Sequence, residues 1–83
     1  MSKQQVYLSF CDTDKPRGSQ FLGAIVLEAD DVVEAVRKAH ELKINPGGEV
    51  LGILVPGDKR VPKQFCDKLL TEDEAKSLPY VEV

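Results

Sequence analysis

The sequence predicts an α+β domain: a small three-stranded mixed sheet in the order ββαβ, one main helix packed on it, and short C-terminal helices. Three observations carry that prediction. Residues 5–11 alternate, with Val6, Leu8 and Phe10 on one face and Tyr7, Ser9 and Cys11 on the other. A period of two with aromatic and β-branched content is the mark of a strand. Residues 21–27 and 49–55 are almost unbroken apolar runs, the pattern of strands covered on both faces. Between them Val32, Ala35, Val36, Ala39 and Leu42 recur at three- and four-residue spacing, one apolar stripe along a helix.

Each element has its own punctuation. The first strand runs into residues 12–20, a polar segment rich in Asp, Pro, Gly and Ser that reads as a loop. It exceeds most hairpin connections in length. The helix opens with Asp31 as N-cap and Glu34 three residues on, a capping box. Asn45-Pro46 is expected to stop it, because the residue before proline is pushed out of the α region. Gly47-Gly48 then makes the turn into the third strand. Gly52 inside that strand suggests a bulge or close packing against the helix. Residues 56–60 read as a turn, and Pro62 suits the start of a short helix reaching Cys66 and Leu69. Thr71 and Glu74 form a second capping box, with Leu70 placed to staple onto Ala75. Residues 80–83 read as an edge strand or a loose tail, and 1–4 as a loose start. The strand–helix–strand unit over 21–55 is expected to be a right-handed parallel crossover. The first strand would pair antiparallel with one of its strands, and the C-terminal helices would shield Tyr7, Leu51 and Val55.

With 83 residues the chain has room for one domain and one modest core. Its 42% apolar and 30% charged residues are ordinary globular composition. No apolar run approaches the roughly 18 residues of a membrane span, and no signal-like segment follows Lys3, so membrane association is not expected and the location reads as cytoplasmic. A net charge of −3 with scattered basic residues disfavours nucleic acid. The densest basic patch, Lys59, Arg60 and Lys63, reads as a solvated turn.

Cys11 and Cys66 are the two cysteines and His40 the one histidine. The cysteines read first as buried thiols, ahead of a disulfide or a metal or reactive role. No C-x₂-C pair is present, so no metal and no cofactor are expected. Gly47 and Gly52 follow a helix rather than precede one, which rejects a phosphate-binding loop. Asp12 and Asp14 resemble the opening of a calcium loop, but Arg17 and Gly23 stand where that loop needs Gly and Glu. A nucleophile would need a base beside it, and only Cys11–His40 or Cys66–His40 could supply one. No catalytic residue is assigned, and the chain does not read as an enzyme.

One constellation reads positively. An antiparallel first strand ends where the 45–48 turn enters the third strand, so Cys11, Asp12, Asp14 and Arg17 should lie beside Asn45, Gly47 and Gly48. On the plainer reading these are only a connector and a turn. The alternative is a contact site for a partner, small molecule or nucleotide, with backbone amides and Arg17 holding an anionic group.

The strings over residues 6–12, 21–24 and 45–50 resemble short uncharacterised open reading frames of tailed phages and bacterial prophages. That resemblance implies a small intracellular accessory protein, of a kind that acts on a host protein, and transfers no catalytic residue. The favoured function is a non-enzymatic interaction protein presenting a surface to a protein partner, with a homo-oligomer as one form. A sheet this small would leave apolar area for a second chain to cover, and an exposed apolar sheet face would support that reading.

Overall fold

The computed structural model describes residues 4–82. In chain order it contains β1 (Gln4–Cys11), β2 (Phe21–Ala29), α1 (Val32–Glu41), β3 (Glu49–Leu54) and β4 (Lys59–Arg60). A 3₁₀ turn (Lys63–Phe65), α2 (Glu72–Lys76) and β5 (Val81–Glu82) follow.

β1 sits in the middle of a three-stranded sheet ordered β2-β1-β3 and runs antiparallel to both neighbours. The expected mixed sheet, with β2 and β3 paired directly in parallel, is therefore corrected. β2 and β3 do point the same way, but β1 lies between them. The gain is physical: inserting β1 replaces a parallel ladder by a second antiparallel one, which is slightly more stable per residue. Leu22 is the extra residue where Phe10 pairs with Gly23 and Cys11 with Phe21, a bulge at the loop end of the hairpin.

The two faces of the sheet are covered differently. On one, Val6, Leu8, Phe10, Ile25 and Leu27 pack with Ala35 and Ala39 of α1, flanked by Val32, Val36 and Ile44. On the other, Ala24 and Val26 pack with Val61, Leu70 and Leu78 from the C-terminal segment. That segment also closes the outer edge of β2. Ala24 and Leu70 exchange backbone hydrogen bonds of 3.1 and 2.6 Å, and the Asp67 amide donates to the Val26 carbonyl at 2.9 Å. Gln5 ties the same segment to β1. Its side-chain amide donates to the Val61 carbonyl at 2.8 Å and accepts from the Val61 amide at 2.7 Å, both buried.

The helix termini follow from local chemistry. The Asp31 side chain accepts from the Glu34 amide at 2.8 Å, and Glu34 accepts from the Asp30 amide, one residue before the cap. α1 ends earlier than Asn45-Pro46 would dictate. Lys43 turns into the left-handed region at φ 61, and its amide donates to His40 while that of Ile44 donates to Ala39. This is a Schellman closure without glycine, and it leaves Leu42 as C-cap and 51% exposed instead of in the apolar stripe. The second capping box forms as a reciprocal pair between Thr71 and Glu74. The helix expected from Pro62 to Leu69 is only the 3₁₀ turn. Residues 59–60, read as turn, pair with residues 81–82 as β4 and β5. Gln4 belongs to β1, whereas residues 1–3 and 83 lie outside the described residues.

Candidate functional site

β3 is the element whose surroundings depart furthest from expectation. Its apolar sequence predicts cover on both faces, yet Leu51 is 66% exposed and Ile53 56%, with Leu54 and Val50 also open. Register explains the two sides. Val50, Gly52 and Leu54 stand opposite Phe10, Leu8 and Val6, and Leu51 and Ile53 opposite Ser9 and Tyr7. The first set therefore shares the α1 face and the second the face of the C-terminal segment. α1 approaches β3 at Gly52, where a Cβ would collide with Val32, so the glycine admits the helix there. On the other face the C-terminal segment covers Ala24 and Val26 and packs against Tyr7 but leaves Leu51 open. The expected shielding holds for Tyr7, which is half-buried against the C-terminal cluster, and is corrected for Leu51, which is open.

Where that cover stops, a cavity of about 420 Å³ opens between Tyr7, Ile53, Val55, Pro56 and Tyr80. Lys59 is its one charged lining residue and is already paired with Glu82 at 3.0 Å. Burial, then the neighbouring Tyr80 and Cys11, holds the Tyr7 phenol above its ordinary value. At neutral pH it is an uncharged hydroxyl at the edge of an apolar surface. Such a surface can bind by excluding water.

The loop and turn expected to form a site are brought together only at their roots. A Cβ on Gly48, which sits at φ 74, would strike the Cys11 carbonyl and Leu22, so the turn abuts the end of β1. Beyond that the loop is braced on itself. The Asp12 amide donates to Gln20 at 2.8 Å, the Asp14 amide to the Asp12 carboxylate at 3.0 Å, and the Gln20 side chain to Lys15. Asn45 similarly accepts from the Gly47 amide at 2.7 Å. Asp14, Arg17, Gly47 and Gly48 are exposed, and Asp12 and Asn45 partly buried.

The remaining chemical candidates are spread apart. Cys11 and Cys66 are free, half-buried thiols. Cys66 donates to the Pro62 carbonyl at 3.5 Å, and burial, then nearby Asp67, pushes its pKa up, which keeps it a thiol. His40 is exposed on α1. Among the described residues no three His, Cys, Asp or Glu gather as a metal site, and no helix is long and apolar enough to cross a membrane. Two of the three residues of the basic patch are ion-paired, Lys59 with Glu82 and Arg60 with Glu28.

That some apolar sheet area would stay open was expected, but its place on β3 was not legible, because an apolar run looks the same whether its chain covers it or not. The available signal was arithmetic: one main helix and a few short segments are little material to coat three apolar strands on two faces. No family model matches the chain, and neither a curated protein nor a solved structure matches it.

Proposed function

We propose that this chain is a small non-enzymatic interaction protein, an intracellular accessory factor of the kind its phage-like strings imply, working through the β3 side of its sheet. One observation carries the reading. Leu51, Ile53, Leu54 and Tyr80 are each at least 45% exposed on contiguous strand and rim positions. A folded chain that left such a patch uncovered would gain by covering it with another molecule. The apolar cavity beside Tyr7 and Tyr80 gives that surface a shape as well as an area.

The test is a double substitution, Leu51→Lys with Ile53→Lys, on two side chains that contribute little to the chain's own core. The variant should melt within a few degrees of wild type, by roughly the scatter of surface substitutions. It should lose every association that wild type shows, with itself or with another protein, in sedimentation and in quantitative affinity capture. If wild type associates with nothing, or if the variant keeps all its partners, the reading is wrong.

The end formed by residues 12–20 and 45–48 is the second candidate, favoured by the contact of Gly48 with Cys11. There Arg17 and the turn amides would hold an anionic group of a small molecule or nucleotide. Substituting Asp14 and Arg17 together, with unchanged stability and unchanged binding, would remove it.

A further inference from the structure

We infer that the partner of β3 is a second copy of this chain, joined edge to edge by antiparallel pairing about a two-fold axis through Gly52. The inference rests on the interaction reading above and names its occupant.

The open edge of β3 is a defined set of backbone groups. The Val55 amide donates to the Gln5 carbonyl at 3.0 Å. Backbone groups alternate along an antiparallel strand, so Leu51 and Ile53 also face β1. The amides and carbonyls of Val50, Gly52 and Leu54 therefore point outward, and among the described residues no strand pairs with them. A two-fold axis centred on Gly52 sets Gly52 opposite Gly52, Val50 opposite Leu54, and Leu54 opposite Val50. Every outward group then meets an outward group of the opposite kind. A register shifted by one residue would set outward groups against inward ones.

The side chains fit the same register. On the face of the C-terminal segment, Leu51 lies opposite the second copy's Ile53 and the reverse, closing both exposed apolar pairs at once. On the α1 face the glycine pair leaves space on the axis, and Val32, already seated over Gly52, is carried there from both copies. No charge occurs within residues 50–54, so the two-fold brings no like charges face to face. Glu49 falls opposite the apolar Val55, not opposite another Glu49. Edge strands that stay single usually carry a charge, a proline or a bulge; here the one charge, Glu49, stands at the very start of the strand and residues 50–54 have none.

The area is consistent with a weak but specific pair. The exposed parts of Val50, Leu51, Ile53, Leu54 and Tyr80, backbone included and all covered, amount to roughly 1,000 Å² over two copies, near the lower bound for a specific interface. Two such copies would form one continuous sheet, β2-β1-β3-β3-β1-β2. Both of its outer edges would be β2, which the C-terminal segment already closes, so growth stops at two.

The experiment uses full-length chain with Leu51→Cys or Ile53→Cys, mixed in a glutathione redox buffer. Directly opposed residues of a non-hydrogen-bonded pair lie close enough for a disulfide, whereas Leu51 and its own copy are set diagonally and too far apart. The mixture should cross-link about tenfold faster than either variant alone. The bond should map to residue 51 of one copy and 53 of the other, in a peptide free of Cys11 and Cys66. Wild type should sediment as a dimer at on the order of 100 µM and dissociate on dilution. A monomer at that concentration, or equal cross-linking in all three samples, overturns the self-pairing. The interaction reading would then stand or fall separately, on whether the double-lysine variant loses a complex with some other protein.

Discussion

β2 and β3 are both apolar strands, both neighbours of β1, and both outermost in the three-stranded sheet, yet one is buried and the other bare. From Gly23 to Leu27 every residue of β2 is buried, whereas no residue of β3 is. The difference lies outside the strands. Residues 61–78 fold back across β2, bridging to its edge at Ala24 and Val26 and filling its outer face with Val61, Leu70 and Leu78. β3 receives Val32 over Gly52 and little else. An apolar strand is thus a demand for cover, and this chain meets the demand at one edge only. Where it does, the result is stability; where it does not, the result is a surface available for binding.

Core truncation should separate the two edges most sharply. Leu70 is 1% exposed and Leu51 66%. Leu70→Ala should cost about 2–5 kcal/mol of unfolding free energy, the range for deleting a buried leucine side chain. Leu51→Ala should cost no more than about 0.5 kcal/mol in the monomer, as at an ordinary surface site. Urea unfolding at low protein concentration measures both. Equal costs would mean that β3 is covered as β2 is, and the contrast would collapse.

How much of this was legible in the sequence follows from the kind of signal each feature leaves. Alternation gave β1, unbroken apolarity gave β2 and β3, and Asp31 and Thr71 announced the two helices, because strand and helix periods and caps are local properties. The stop at Lys43 was not legible, since it depends on a lysine adopting a backbone conformation usually left to glycine. That C-terminal segments would cover the sheet's second face or an edge was expected, but the way they hold β2 was not legible. That hold is made by isolated bridges at Cys66 and Leu70, which have no period to detect. The site divided the same way. Residues 12–20 and 45–48 stood out by composition, and their roots do meet at Cys11 and Gly48. The exposure of β3 depends on where a distant segment stops, which no local pattern records.

The clamp at Gln5 is the next way to test the covered edge. Gln5 is 8% exposed, and both ends of its amide are spent on the Val61 backbone. Gln5→Met keeps the shape and deletes both hydrogen bonds, leaving the buried Val61 amide without its partner and the Val61 carbonyl with only the weak Cys66 thiol donor at 3.8 Å. The expected loss is about 2–3 kcal/mol in urea unfolding. The same variant should leave the β3 edge and its associations unchanged while the chain is folded. No loss of stability would mean that the clamp is incidental to how the C-terminal segment docks.

The smallest expected effect uses acid to tell the edges apart. The Thr71 amide, and then the Thr71 hydroxyl, hold the Glu74 carboxyl below its ordinary value, so folding favours its charged form. A depressed carboxyl stabilises the fold above its unfolded pKa, and that contribution fades as pH falls through the ordinary carboxylate range and below it. α2 carries Ala75 against the β2 cover and is preceded by Leu70, so the contribution belongs to the covered edge. Residues 50–54 hold no titratable group, and their edge should not respond. Wild type should therefore melt slightly above Glu74→Gln at neutral pH, with the gap closing as acid is added, since glutamine keeps the cap geometry but never ionises. Dissociation of the proposed dimer, followed over the same pH range while the chain remains folded, should show no matching difference between the two proteins. A gap in melting temperature that persisted in acid would mean that the capping box acts through shape alone, and that charge has no part in holding the cover on β2.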